Sequence, residues 1–181
     1  MGGPRDLRVS AWIADDYWVD PLAELPDADD FQALLAREEL RRGRTNEQLA
    51  VAMLDIDGLR RLNREHGASA GTRVLRVCVT TLRSTLRAVD DLARVGPDEF
   101  AVLLHGTDAR SAAIWADRFE DDLVAESFEL VGGPVTCSIG IASPSDELNL
   151  IQAAAKAHRR MEVVQTMRKL RRMRDGGTGP G

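Results

Sequence analysis

Aromatic residues are few in this 181-residue chain: three Trp, four Phe and one Tyr. A core must then be built from Leu, Val, Ala and Ile, and an apolar fraction of 44% suits an ordinary α/β domain built that way. Cysteine is scarcer still. Cys78 and Cys137 stand far apart in apolar surroundings, which argues against a disulfide framework or a metal cluster and fits a reducing cytoplasm. No apolar run approaches membrane-spanning length, and Met1-Gly2-Gly3-Pro4-Arg5-Asp6 lacks the basic and apolar regions of a signal peptide. Excess positive charge is also missing: a net charge of −5 argues against non-specific nucleic-acid binding. There is no internal repeat. The length suffices for one well-buried domain and is short for two. These absences together lead to an expectation of one soluble, cytoplasmic domain with no nucleic-acid or membrane partner.

What is present is a regular alternation of element signals. A leading segment, residues 1–26, carries Trp12, Tyr17 and Trp18 before Pro21 and Pro26, and is expected to pack aromatics on the domain. From Asp27 a helical pattern runs through Phe31, Leu34, Leu35 and Leu40 to a polar break at 42–46. Leu49 to Ile56 reads as a buried strand, and Gly58 to His66 as a helix stopped by Gly67. A long helix follows over Gly71–Arg87. Asp91–Val95 and Asp98–Leu104 read as strands around a turn at Gly96-Pro97, and Thr107 opens a helix to about Ala125. Phe128–Val131 and Val135–Ile141 read as a further strand pair around Gly132-Gly133-Pro134. Leu148 to Met173 is helical. This order predicts an α/β (α+β) domain: a central mixed sheet that contains an antiparallel hairpin, with helices on one face.

Two acidic groups stand out. Asp55-Ile56-Asp57 ends the first strand, and Asp98-Glu99 follows the hairpin turn. Should those strands be neighbours, several carboxylates would crowd together, at a cost that a hard divalent cation such as Mg2+ relieves. Spacing alone leaves solvated loop acids as the simpler reading.

The surrounding residues change that balance. Arg94-Val95-Gly96-Pro97-Asp98-Glu99-Phe100 resembles the GGDEF signature of the diguanylate cyclase family, with its preceding arginine. Leu54-Asp55-Ile56-Asp57-Gly58-Leu59-Arg60-Arg61-Leu62-Asn63 resembles the metal-and-guanine segment upstream of it. Cys137–Ala142 and Asp20–Pro26 are similar to the family's late core strand and its opening motif. The resemblance implies the nucleotidyl-cyclase palm-like fold over residues 27–166, with 167–181 as a basic helical extension and disordered tail. It implies that two domains each present one GTP and join them as cyclic di-GMP, with metal ions organising the triphosphates. Asp55, Asp98 and the Ile56 carbonyl would be metal ligands. Asp98, Glu99 and Arg60 would be catalytic, with Arg60 where a lysine is usual. Gly58, Leu59, Gly96 and Pro97 would line the phosphates and Asn63 would read guanine.

Several positions depart from the family pattern. Pro97 replaces the second glycine, fixing φ near −65° and removing an N–H, so the turn must be reshaped. Thr72 stands where a second guanine-reading aspartate is expected, and Glu162 and Thr166 fall where a lysine and an arginine would grip phosphates. Arg159 or Arg160 could substitute. The balance favours little or no cyclase activity. Arg87-Ala88-Val89-Asp90 resembles the family's RxxD inhibitory site for cyclic di-GMP, with Arg118 as a further arginine. Arginine and aspartate can read the guanine edge, and the i,i+3 spacing was expected to set them on one helix face; without the family register they would be an ordinary surface ion pair. The basic residues 159, 160, 168, 169, 171, 172 and 174 read mainly as a solvated face, and the interleaved Met161, Val164, Met167, Leu170 and Met173 as a surface for the domain, a second copy or a partner protein. His66, His105 and His158 read as structural or surface groups, and Trp115 as core. Three functions stay open: a cyclic di-GMP-binding signalling module, an active Mg2+-dependent cyclase on GTP, and a non-catalytic protein-contact module.

Overall fold

The computed structural model describes residues 22, 24–145 and 148–176. Trp12, Tyr17 and Trp18 of the leading segment, expected to pack on the domain, therefore lie outside the described residues; Leu22 and Leu25 pack against the core. Asp27 starts the first helix through a reciprocal cap. Its carboxylate accepts from the Asp29 and Asp30 amides while Asp30 accepts from the Asp27 N–H. This helix, α1 (Ala28–Thr45), continues through the expected polar break and ends at Asn46 in the left-handed conformation. There follow β1 (Leu49–Ile56), α2 (Leu59–His66), α3 (Ala68–Thr85), β2 (Asp91–Arg94), β3 (Glu99–His105), α4 (Ala109–Val131), β4 (Cys137–Ala142) and α5 (Leu150–Gly176).

The strands form one sheet in the order β2-β3-β1-β4, and every pairing is antiparallel rather than mixed. Helices cover both faces, not one. All eight residues of β1 are buried, and side chains alternate across a strand. Ala50, Ala52, Leu54 and Ile56 join Val74, Cys78, Leu82 and Phe119 from α3 and α4. Leu49, Val51 and Met53 join Phe31 and Leu35 from α1 and Leu150, Ala157 and Met161 from α5. An uninterrupted apolar strand such as Leu49–Ile56 is the sequence mark of burial on two sides.

Two further expectations are corrected. Phe128–Val131 is not a strand: α4 runs on to Val131 because Ser127 continues its buried face, and Gly132 at φ +78° stops it. Phe128 is 56% exposed there. The long helix α3 ends at Thr85, with Leu86 already extended, so Arg87–Asp90 lies beyond it in a turn closed by Asp90 N–H donating to Arg87 O at 3.0 Å. Trp115 is buried as expected, stacked on Phe119 at 5.9 Å between centroids. The two cysteines, distant in sequence, are buried with their Sγ atoms 4.0 Å apart.

Candidate functional site

The strand end and the hairpin corner do meet. Ile56 N–H donates to Asp98 O at 3.0 Å, and Asp55 pairs with Glu99 across β1 and β3. Asp55 and Asp98 are both buried. Burial, with the nearby Asp98, raises the Asp55 carboxyl to about 6, although a hydrogen bond from Gln165 opposes the rise. Arg60 Nε lies 3.6 Å from Asp98 Oδ2 on a side chain that is 82% exposed.

Asp57 has a different setting. Its carboxylate accepts from Thr136 Oγ1 at 2.8 Å, Ser138 Oγ at 2.7 Å and Arg168 Nη1 at 2.9 Å. The acidic triplet is therefore divided, with Asp55 facing the hairpin corner and Asp57 tied to β4 and α5.

The Gly96-Pro97 corner joins β2 to β3. Residues 95–98 connect the strands, Val95 N–H donates to Glu99 O, and neither glycine nor proline there takes positive φ. Arg94 holds the corner: its Nε donates to Gly96 O at 3.2 Å and its Nη2 to Pro97 O at 2.7 Å. Gly58, at φ +80°, leads into α2, whose first residue Leu59 is buried. Asn63 points its Oδ1 to a buried position without a hydrogen-bond donor. Only glycine at 71 leaves room for it, since a Cβ there would sit 1.9 Å from that oxygen. Thr72 is half-buried, its hydroxyl turned back to donate to Ala68 O.

Glu162 and Thr166 are exposed; Glu162 lies 3.8 Å from His158, which in turn is 3.8 Å from Glu99. The helix instead brings its neighbouring face to the acids. Gln165 Nε2 donates to Asp55 Oδ1 at 2.6 Å. Arg168 binds Asp57, Glu120 and the Cys137 carbonyl, and Arg172 reaches Thr136 Oγ1 at 3.2 Å. This departs from a solvated basic face: Arg168 is 29% exposed and tied on three sides. An i, i+3, i+7 spacing of Gln165, Arg168 and Arg172 was the available signal for one shared face.

The second cluster lies at the opposite end of β3. Arg87 donates to Asp90 through Nε at 3.2 Å and Nη2 at 3.1 Å, and reaches Thr107 Oγ1 at 2.9 Å. Asp90 also accepts from His105 N–H at 3.0 Å and its side chain is 2% exposed, whereas that of Arg87 is 57% exposed. A surface cavity of about 430 Å³ opens here, lined by Arg83, Arg87, Asp90 and Glu24-Leu25-Pro26. Arg118 is on the exposed side of α4 and does not line that cavity. Arg83 does, from the last helical turn before Arg87 and outside the RxxD pattern. His105 is buried with Nε2 3.0 Å from Asp91.

Among the described residues no three Asp, Glu, His or Cys side chains are grouped to hold a metal unaided. Two crowded carboxylates nevertheless suit Mg2+, which takes the rest of its oxygen shell from water and phosphate.

An antiparallel sheet with acids at a strand end beside a hairpin corner defines a palm-like α+β domain of the nucleotidyl-cyclase type. The chain belongs to the family "Diguanylate cyclase, GGDEF domain", whose profile matches residues 17–170. It is 37% identical over 126 residues to "Diguanylate cyclase DgcP" of Pseudomonas aeruginosa, covering 68% of this chain and 19% of that protein. Among solved structures, diguanylate cyclase SiaD in complex with its activator SiaC, from Pseudomonas aeruginosa, matches with a TM-score of 0.72 and 27% identity over 81% of this chain and 57% of that one. The GGDEF domain of DgcB from Caulobacter crescentus, in complex with c-di-GMP, shares the fold at a TM-score of 0.72 and 20% identity, covering 78% of this chain and 86% of that one. The chain thus spans a minor part of its curated relatives. No described helix is long and apolar enough to cross a membrane.

One consequence of the crowding can be measured. A carboxyl raised to about 6 holds its proton in the folded chain where the unfolded chain has lost it. Its ionisation therefore opposes folding above that pH, and the opposition vanishes below the unfolded value near 4. Asp55→Asn is expected to be more stable than the parent at pH 7.5, by at most about 3 kcal/mol. That advantage should disappear as the pH falls from 6 to 4 in urea titrations without divalent cations. An equal difference at both pH values would contradict it.

Proposed function

We propose that this domain is a signalling receptor for cyclic di-GMP, with weak or no cyclase activity, that binds its ligand at the Arg87–Asp90 turn. The observation that carries the reading is the contrast between the two clusters. Arg87, Asp90 and Arg83 border an open cavity, and the exposed guanidinium groups can donate to guanine O6 and N7 or stack on the base. Asp90 already fixes the Arg87 geometry, so part of the ordering is done before the ligand arrives. Arg118 could contribute only from another approach, such as a second domain. The DgcB structure with c-di-GMP makes the ligand class reasonable for this fold.

At the other cluster, Asp55, Asp98 and the Ile56 carbonyl would hold Mg2+, which when bound neutralises charge on phosphate oxygens. Arg60 would add a cation beside Asp98, and Gly58, Leu59 and Asn63 would face the nucleotide. Pro97 at the corner, Thr72 turned away and Glu162 at the phosphate end each weaken GTP binding there. A homodimer, or a partner protein on α5, would be the output. Calorimetry tests the proposal. Cyclic di-GMP should bind the parent chain, and Arg83→Ala and Arg87→Ala should each weaken binding at least tenfold, about 1.4 kcal/mol. Arg83→Ala guards against a folding defect, because Arg87 also supports His105 and Thr107. Equal binding by all three chains, or binding by none, would end the reading. Turnover of GTP to cyclic di-GMP that Asp98→Ala abolishes would support the active-cyclase alternative.

A further inference from the structure

We propose that Gln165 competes with divalent cations for Asp55, so that the last turns of α5 form a strap which must lift before the acidic pair can take a metal ion. This goes beyond the receptor reading and does not depend on it.

The orientation of the Gln165 amide follows from its two neighbours. Lys169 Nζ lies 2.9 Å from Oε1, and an ammonium can only donate, so the oxygen faces the lysine. The NH2 group is left facing Asp55, where Nε2 lies 2.6 Å from Oδ1. A donor hydrogen therefore occupies a carboxylate oxygen that a cation would coordinate. The same turn is anchored by Arg168 on Asp57, Glu120 and the Cys137 carbonyl, and by Arg172 on Thr136. Arg172 Nη1 also lies 3.7 Å from where a Cβ on Gly58 would be, so the strap borders the start of α2.

The hold is polar. The buried apolar residues of α5 are Leu150, Ala153, Ala157 and Met161, whereas Val163, Met167, Leu170 and Met173 are exposed. Beyond Met161 no described residue is fully buried, Val164 is only half-buried, and the hydrogen bonds and ion pairs to the domain are made by side chains, so this end can open without uncovering the buried core. A cation entering at Asp55 must displace a hydrogen bond to a charged group, which weakens its binding by about tenfold or more.

The test uses the full chain and Mn2+ as the probe, with free Mn2+ followed by electron paramagnetic resonance. Gln165→Ala should bind Mn2+ at least tenfold more tightly than the parent, and Lys169→Ala should fall between them. Alanine favours helix, so circular dichroism should show α5 intact. Adding Asp55→Asn to Gln165→Ala should remove the gain. In the parent, saturating Mn2+ should speed amide exchange over residues 165–176. Equal Mn2+ affinity in parent and Gln165→Ala, no binding in either, or unchanged exchange would each overturn the proposal. Calorimetry with cyclic di-GMP is independent of all these outcomes, so failure of either proposal is recognised separately.

Discussion

Gly140→Ala is expected to cost more stability than alanine at any other described glycine. A Cβ at this position in β4 would lie 2.0 Å from Ala157 O and 2.3 Å from Met161 N, both backbone atoms of α5. Neither can yield as a flexible side chain would. The helix must back away from the sheet, and Ala153, Ala157 and Met161 would lose their packing against Val51 and Met53. Overpacking against rigid backbone costs about 3 kcal/mol or more, roughly 10 °C in melting temperature for a chain of this size. Calorimetric melting of the parent and Gly140→Ala would check this, and a melting point within a degree or two of the parent would contradict it. By contrast Gly43, with open space around its Cβ position, should accept alanine without loss.

Phe100→Ala is the second. Phe100 is fully buried in β3, paired with Leu54 across the sheet and with Arg94 on the other side. Removing a ring of that size from a closed core costs about 3–5 kcal/mol, because the cavity adds to the lost transfer energy. Since Phe100 directly follows Asp98-Glu99, the same change should also loosen the corner that sets Asp98 beside Ile56. Denaturant unfolding should show a lower midpoint with an unchanged slope, while Phe100→Leu should retain most of the stability. A midpoint unaltered in Phe100→Ala would mean that β3 is not the closed element described above.

The elements that were legible in the sequence were those whose signals are local. Asp27 announced α1, the Val-Ala-Met-Leu run announced a buried strand, and Gly67 separated two helices. The α4 terminus was misread because Gly132-Gly133-Pro134 serves a helix stop as well as a hairpin, and only the packing of Ser127 decides between them. The site divided along the same line. Asp55, Asp98 and the Pro97 corner came from contiguous motifs, and the sheet register brings them together. Gln165 and Arg168 could not be found that way, since their partners lie 110 and 111 positions away in sequence. The Arg87–Asp90 pair was recognised, but its setting was not: one extended residue at Leu86 converts a helix face into a turn.

β3 carries one cluster at each end, Glu99 beside the acids and His105 on Asp90. At a rise of ~3.4 Å per residue the two are roughly 20 Å apart. The strand between them is laddered on both edges, to β2 and β1, and buried along nearly its whole length. Such a beam does not bend in the middle. A molecule seated at its far end would have little means of reaching the acids by deforming the sheet.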